Sequence, residues 1–119
     1  MGTFRVEIGV GHPQGGDLHP VSALVDTGAG HSMMPAALLE QLGLTPLERL
    51  RFKVADGRRV EHDVADARFS IFGGERFCPV IFGPEGQYLL GATTLEIFNL
   101  MVDPTEVNPG LVPIEEVNL

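Results

Sequence analysis

The sequence has few cysteines and few basic side chains, and each shortage excludes a class of protein. A single cysteine, Cys78, cannot form a disulfide within the chain, which excludes a small disulfide-stapled extracellular scaffold. Lysine and arginine total 8 against 16 aspartates and glutamates, for a net charge of −8. A nucleic-acid groove or a face for anionic membranes requires a basic patch, so we expect neither partner.

Long apolar runs are also absent from the sequence. No run is long enough to cross a bilayer, and the first residues do not form a signal-peptide pattern, so we expect a cytoplasmic protein. The 119 residues, 44% of them hydrophobic, predict one domain over 1–119 with a modest core. The histidines lack the spacing of zinc ligands, and no metal or organic cofactor is predicted. They are His12, His19, His31 and His62.

Glycine and proline, by contrast, are abundant, with 15 and 9 residues, and they separate short apolar runs. This pattern is typical of a mostly β protein. Alternating apolar residues predict a strand over Thr3–Val10, and a second strand is predicted over Val21–Val25. A short helix is predicted from Pro35, ending at Gly43.

A hairpin is predicted over Phe52–Val64, and two registers are possible. A two-residue loop, Asp56-Gly57, would place Val54 opposite Arg59. A three-residue loop, Asp56-Gly57-Arg58, would place Val54 opposite Val60 and Phe52 opposite His62, with Lys53 opposite Glu61. The second register matches apolar with apolar and positive with negative, so it is preferred.

The second half of the chain continues with short elements. Strands over Ala67–Phe72 and Arg76–Phe82 are predicted to turn at Gly73-Gly74, with Pro79 at an edge or bulge. A strand over Gln87–Leu90 follows. Further predictions are a capping box of Thr93 and Glu96 opening a helix to about Leu100, and a turn at Asn108-Pro109-Gly110 before a strand over Leu111–Val117.

The feature that carries chemistry is Asp26-Thr27-Gly28-Ala29, directly after the apolar run Ala23-Leu24-Val25. Glycine permits a tight turn and directs a backbone N–H at the carboxylate, while the threonine hydroxyl can both donate and accept. Two such carboxylates within a hydrogen bond of each other cannot both ionise. The ionised carboxylate activates a water, and the protonated one hydrogen-bonds the scissile carbonyl.

These residues, together with Leu89-Leu90-Gly91 and the short helix after it, resemble the retropepsin-like aspartic proteases. The resemblance spans roughly Phe4–Asp103, and the two motifs have the order and separation of that family. It implies a closed β-barrel with two short helices, a flap hairpin and a ψ-loop. It also implies a hydrolase that cleaves extended peptide or protein substrates.

The resemblance also implies a role for each matching residue. Asp26 is implied to be catalytic, and Thr27 to hydrogen-bond its counterpart across a subunit interface. Support of the active-site loop is implied for Gly28, Ala29, Leu89, Leu90 and Gly91. The flap, which closes over substrate, is implied for Val54, Ala55, Asp56, Gly57 and Arg58.

Only one Asp-Thr-Gly occurs in the chain, so a monomer carries half of the carboxylate pair. We therefore expect a two-fold homodimer, with Thr3–Val10 and Leu111–Val117 as candidates for the interface sheet. Viral relatives commonly place an arginine where Ala92 stands and have a flap richer in glycine than this one. These departures keep an alternative function open, a catalytically weak or inactive dimeric peptide-binding module of the same fold.

Other interpretations of the same residues are weaker. Aspartate before a turn is often only a helix cap, but the apolar strand before Asp26 and the second motif argue against that here. Gly28-Ala29-Gly30 lacks the third glycine of a dinucleotide fingerprint. Cys78 is predicted to be a packed small residue, and Met33 and Met34 are predicted to line the core, with a part in a substrate pocket left open.

Overall fold

The computed structural model describes residues 3–103 and 110–114. These residues form nine strands and two six-residue helices. In chain order they are β1 (Arg5–Gly11), β2 (His19–Val25), β3 (Ser32–Pro35), α1 (Ala36–Gln41), β4 (Glu48–Lys53), β5 (Arg59–Ile71), β6 (Gly74–Gly83), β7 (Leu89–Leu90), α2 (Ala92–Ile97), β8 (Leu100–Val102) and β9 (Leu111–Pro113). Among the described residues, neither helix has the length or the apolar character needed to cross a membrane.

Seven strands form one sheet in the order β1-β2-β7-β3-β6-β5-β4, and an additional pairing of β1 with β5 closes six of them into a barrel. The closing contact runs from Gly9 opposite Ser70 to Gly11 opposite Arg68. Strand β4 lies outside the closure and pairs with β5 alone. Strands β8 and β9 form a separate antiparallel pair. The predicted mostly-β closed barrel with two short helices is confirmed.

The core is filled by inward-facing residues of the strands together with apolar residues of the two helices. Its largest fully buried apolar side chains are Phe69, Met34, Leu39, Leu90, Val10 and Val80. Cys78 is also fully buried among them, as predicted for a packed small residue. Met34 lies in the core as predicted, whereas Met33 is only half-buried. Dense packing of this kind gives the barrel a fixed shape on which loops can be positioned.

Strand β5 is longer than the sequence indicated. The prediction ended one strand at Val64 and began the next at Ala67, but β5 runs unbroken for 13 residues. Its first part pairs with β4 and its second part with β6, changing partners at Val64. A polar side chain does not interrupt a strand where that side chain faces solvent, as Asp66 does.

The turn between β5 and β6 lies one residue earlier than predicted. Ile71 pairs with Gly74, so the loop is Phe72-Gly73 rather than Gly73-Gly74. Phe72 and Gly73 both have positive φ, 51° and 83°, as a type I′ hairpin turn requires. Pro79 pairs with β5 on one side, and β3 joins the other side only from Val80 onward. Pro79 therefore sits at a local edge, as predicted.

Strand β3 was missed by sequence reasoning. Ser32–Pro35 is only four residues long, and no element was predicted there before the helix at Pro35. The helix itself starts at Ala36, with Pro35 as its N-cap residue, and ends before Gly43, whose φ is +86°. Four residues are too few to show a period-two pattern, which explains the miss.

The last elements differ from the prediction in two ways. Helix α2 begins at Ala92 with Gly91 as its N-cap residue and no side-chain capping bond, so the capping box of Thr93 and Glu96 is wrong. The helix ends at Ile97, and Leu100–Val102 is a strand. The predicted final strand is present as Leu111–Pro113. Residues 108–109 of the predicted turn and 115–117 of the predicted strand lie outside the described residues.

Candidate active site

Asp26 directly follows β2 and is fixed through its backbone and its side chain. Its N–H donates to the Leu90 carbonyl at 3.0 Å, and its carbonyl accepts from the Ala29 N–H at 3.1 Å. Its Oδ1 accepts a hydrogen bond from the Gly28 N–H at 3.0 Å. The carboxylate is half-buried, so it is held in one orientation while one side remains open to a ligand.

The strand that supports Asp26 is β7, which lies between two strands from the first half of the chain. Leu24 and Val25 pair with Leu89 and Leu90 in parallel. On the other side of β7, Met33 pairs with Leu89 in the antiparallel sense. Strand β7 thus lies between β2 and β3, the two strands that flank the Asp26 loop. This arrangement is the predicted ψ-loop.

Gly91 allows the Asp26 loop and helix α2 to approach closely. A Cβ on Gly91 would lie 2.5 Å from the His31 carbonyl and 2.9 Å from the Ala29 oxygen, closer than real Cβ atoms approach. The Ala92 N–H donates to the Ala29 carbonyl at 2.8 Å, and the Thr93 N–H donates to the Gly30 carbonyl at 3.0 Å. The first turn of α2 thus satisfies carbonyls of the loop that carries Asp26.

A buried pair of hydroxyls lies behind this loop, and sequence reasoning did not find it. Ser32 Oγ and Thr94 Oγ1 are 2.6 Å apart, and Ser32 Oγ also accepts from the Gly91 N–H at 3.0 Å. Both residues are fully buried. The available signal was the single serine before the apolar run Met33-Met34-Pro35. That pattern indicates a buried polar group but does not identify its hydrogen-bond partner.

Thr27 and Gly28 occupy the exposed tip of the loop. Among the described residues, no hydrogen bond reaches the Thr27 hydroxyl. The structure therefore brings together Asp26, Thr27, Gly28, Ala29, Leu89, Leu90 and Gly91.

The predicted flap residues form the tip of the β4–β5 hairpin, in a register different from the preferred one. Phe52 pairs with Val60, not with His62, and the loop is Ala55-Asp56-Gly57. The Gly57 N–H donates to the Val54 carbonyl at 2.9 Å, and Gly57 has a φ of +90°. This turn geometry fixes the register, although it places Lys53 opposite Arg59.

The hairpin tip is held by a local ion pair. Arg58 Nε donates to Asp56 Oδ2 at 2.6 Å, and the Arg58 N–H donates to Asp56 Oδ1 at 2.9 Å. Both side chains are more than half exposed, so the pair contributes well under about 1 kcal/mol to folding. Val54 is half-buried, whereas Ala55, Asp56, Gly57 and Arg58 are exposed.

The flap hairpin contacts the Asp26 loop through aromatic rings. The His31 ring packs edge-on against Phe52 of β4, with ring centroids 5.3 Å apart. Phe52 in turn lies 6.1 Å from the ring of His62 on β5. Because strand side chains alternate, the face of β4 that carries Phe52 also carries Leu50 and Val54. That apolar face of the hairpin is turned toward the loop of Asp26.

The other candidate groups do not form a site. Within the described part of the chain, no three His, Cys, Asp or Glu side chains are arranged to hold a metal ion. Cys78 is buried, and burial raises the pKa of its thiol to about 11, which opposes a role as a nucleophile.

Comparisons with known proteins agree with this geometry. The family model described as aspartyl protease matches residues 6–94. The solution structure of simian foamy virus protease is similar to this chain, with a TM-score of 0.59 at 22% sequence identity. The match covers 77% of this chain and 91% of the viral one. A comparison with curated protein sequences gives no match.

Proposed function

The chain belongs to the aspartyl protease family, and from that premise we propose that it is a homodimeric aspartic endopeptidase formed by a single domain. Its catalytic residue is Asp26, contributed by both subunits. The observation that carries the proposal is the placement of Asp26 at the open end of β2, where Gly28 orients the carboxylate and Leu90 holds the backbone.

The dimer follows from the count of carboxylates. The chain contains one Asp-Thr-Gly, and the reaction uses two carboxylates that share a proton. A two-fold axis through the loop tips brings Asp26 and its counterpart together, and the exposed Thr27 hydroxyls then hydrogen-bond across the axis. Gly9 and Val10 are excluded from the predicted interface sheet, because β2 and β5 occupy both of their strand edges. The proposed interface sheet is therefore formed by Thr3–Ile8 and Leu111–Val117.

In the proposed reaction, one Asp26 carboxylate removes a proton from water as the water oxygen bonds to the scissile carbonyl carbon. The protonated Asp26 of the other subunit gives its proton to the carbonyl oxygen. The carboxyl group that took the proton from water then gives it to the leaving nitrogen as the carbon–nitrogen bond breaks, and a hydroxyl of the intermediate returns a proton to the other Asp26 carboxylate. The two carboxylates thus relay protons between water and substrate and end in their starting protonation states.

The test is digestion of a peptide library followed by mass spectrometry. Wild type is expected to cut peptides, whereas Asp26→Asn is expected to lose cleavage while sedimenting as the same dimer. Asp17→Asn is the matched control, because Asp17 is exposed and precedes β2, whereas Asp26 follows the other end of that strand. Specific activity is expected to fall on dilution as the dimer dissociates.

Two outcomes would contradict the proposal. Cleavage by Asp26→Asn would remove Asp26 from the mechanism. A wild-type dimer that binds peptides but cuts none between acid and neutral pH would identify the alternative, a peptide-binding module of the same fold.

A further inference from the structure

A cleft of about 190 Å³ lies between the flap hairpin and the loop that carries Asp26. His31 forms its wall on the loop side, five residues after Asp26 in the chain. The base of β4 and the middle of β5 form the opposite wall. The lining residues are His31, Leu47, Glu48, Leu50, Val64, Ala65, Asp66 and Pro79.

The cleft belongs to the inner side of the flap. Leu50 lies on the same face of β4 as Phe52, which packs against His31. Glu48 lies on that face as well, opposite Val64 of β5. Because His31 belongs to the loop that carries Asp26 and also lines the cleft, a peptide that extends from Asp26 along this face of β4 would reach the cleft.

The cleft combines an apolar floor with an acidic rim. Leu50, Val64 and Pro79 supply apolar surface, while Glu48 and Asp66 are exposed carboxylates at the opening. The other acidic groups near the hairpin are paired, Glu61 and Asp63 with Arg49 and Asp56 with Arg58. Among the described residues, no ion pair engages Glu48 or Asp66.

We propose that this cleft binds a lysine or arginine side chain of the substrate and makes the enzyme selective for basic peptides. The inference rests on the proposed protease function. A basic side chain lays its methylene stem on apolar surface and keeps its charged end at a polar rim, and this cleft offers both. The two free carboxylates supply charge complementarity that an apolar side chain cannot use.

The first test compares cleavage by wild type and by the double variant Glu48→Gln/Asp66→Asn on matched peptides. The peptides come in pairs that differ at one position, where one member has lysine and the other has norleucine. Each position of the peptide is varied in turn. Wild type is expected to prefer lysine at one position, and the double variant is expected to lose roughly fivefold of that preference in kcat/KM. Cleavage of the norleucine peptides is expected to stay unchanged.

The control is Glu61→Gln/Asp63→Asn, which removes the same two charges from the hairpin outside the cleft lining. This control is expected to retain the preference for lysine. Equal loss in the control would show that only the overall charge matters, and a wild type without any basic preference would overturn the proposal.

A binding measurement separates failure of this proposal from failure of the protease assignment. In Asp26→Asn, the lysine peptide is expected to shift the amide NMR resonances of Leu50 and Val64, and the norleucine peptide is not. Selective shifts in Asp26→Asn, together with no cleavage by the wild type, would retain the cleft for basic side chains and refute the protease assignment. Cleavage by the wild type without selective shifts in Asp26→Asn would retain the protease assignment and refute the binding of basic side chains in the cleft.

Discussion

Ser32 and Thr94 meet in the interior with their hydroxyl oxygens 2.6 Å apart, and Ser32 also accepts the Gly91 N–H. The pair joins β3 to α2 directly behind the loop that carries Asp26. Buried hydroxyls without partners cost free energy, so each residue depends on the other. The loop that carries Asp26 is thus supported from behind by two residues that are fully buried.

The first prediction concerns this pair. Ser32→Ala is expected to lower the free energy of unfolding by about 1–3 kcal/mol, because it leaves the buried Gly91 N–H without a partner and removes the hydrogen bond between Ser32 and the Thr94 hydroxyl. Urea unfolding measures the change. Thr93→Ala, a half-buried threonine on the same helix, is the control and is expected to cost less. Destabilisation no larger than the control would show that the pair contributes nothing.

The second prediction concerns close approach at Gly91. Gly91→Ala is expected to destabilise the fold by about 1–3 kcal/mol and to abolish peptide cleavage, because the new Cβ displaces the carbonyls of Ala29 and His31. Gly30→Ala is the matched control, since a Cβ there meets nothing within 4 Å. Thermal unfolding and peptide cleavage would be measured on both variants. Equal stability and equal cleavage in the two variants would contradict the claim that residue 91 has no room for a Cβ atom.

The third prediction concerns backbone strain at Phe72. Its φ of 51° lies in the left-handed region, which asparagine adopts more readily than an aromatic residue. Phe72→Asn is expected to raise the free energy of unfolding by up to about 1 kcal/mol. Phe77→Asn on the same hairpin is the control, because Phe77 is 63% exposed, close to the 65% of Phe72, and has no positive φ. Stabilisation in both variants would point to lost surface hydrophobicity instead.

The fourth prediction concerns the thiol of Cys78. Burial raises its pKa from 9.0 to about 11, against a smaller lowering effect from hydrogen bonding to Thr94. At pH 8 the folded protein is therefore expected to react with a disulfide reagent far more slowly than the urea-unfolded chain. Rapid labelling of the folded protein would contradict the burial.

The same shift predicts a direction for stability against pH. Between pH 9 and 11 the unfolded thiol loses its proton while the folded thiol keeps it, so the free energy of unfolding falls as pH rises. Cys78→Ala is expected to lose this component of the pH dependence. An unchanged slope in that variant would assign the alkaline sensitivity to other groups.

The sequence predicted the elements that have a local chemical signature. The apolar strand before Asp26, the glycine after Thr27 and the Leu89-Leu90-Gly91 element each follow from residue type and order. Strand β3 was missed because four residues carry no period. The pair of Ser32 and Thr94 was missed because its partners lie 62 residues apart, and no local pattern identifies such a contact.

In the flap hairpin, turn geometry outweighs the pairing of opposite charges across the strands. Cross-strand pairing favoured Lys53 opposite Glu61, but Lys53 lies opposite Arg59. Like charges on an exposed strand pair cost only tenths of a kcal/mol, whereas the turn at Gly57 determines which residues can meet. The register differs from the prediction by two residues, an even number, so Val60 and His62 still lie on the same face of the hairpin as Phe52.

The hydrogen bond from Asp26 to Leu90 also determines when, during synthesis and folding, the Asp26 carboxylate can become oriented. The loop and its supporting strand are separated by most of the barrel sequence, and closing so long a loop is slow and comes late in folding. During synthesis from the N-terminus, Asp26 emerges well before Leu90 exists to hold it. A nascent or truncated chain therefore carries the Asp-Thr-Gly motif without the arrangement that orients Asp26, and under the proposed function it would gain activity only after the barrel is complete.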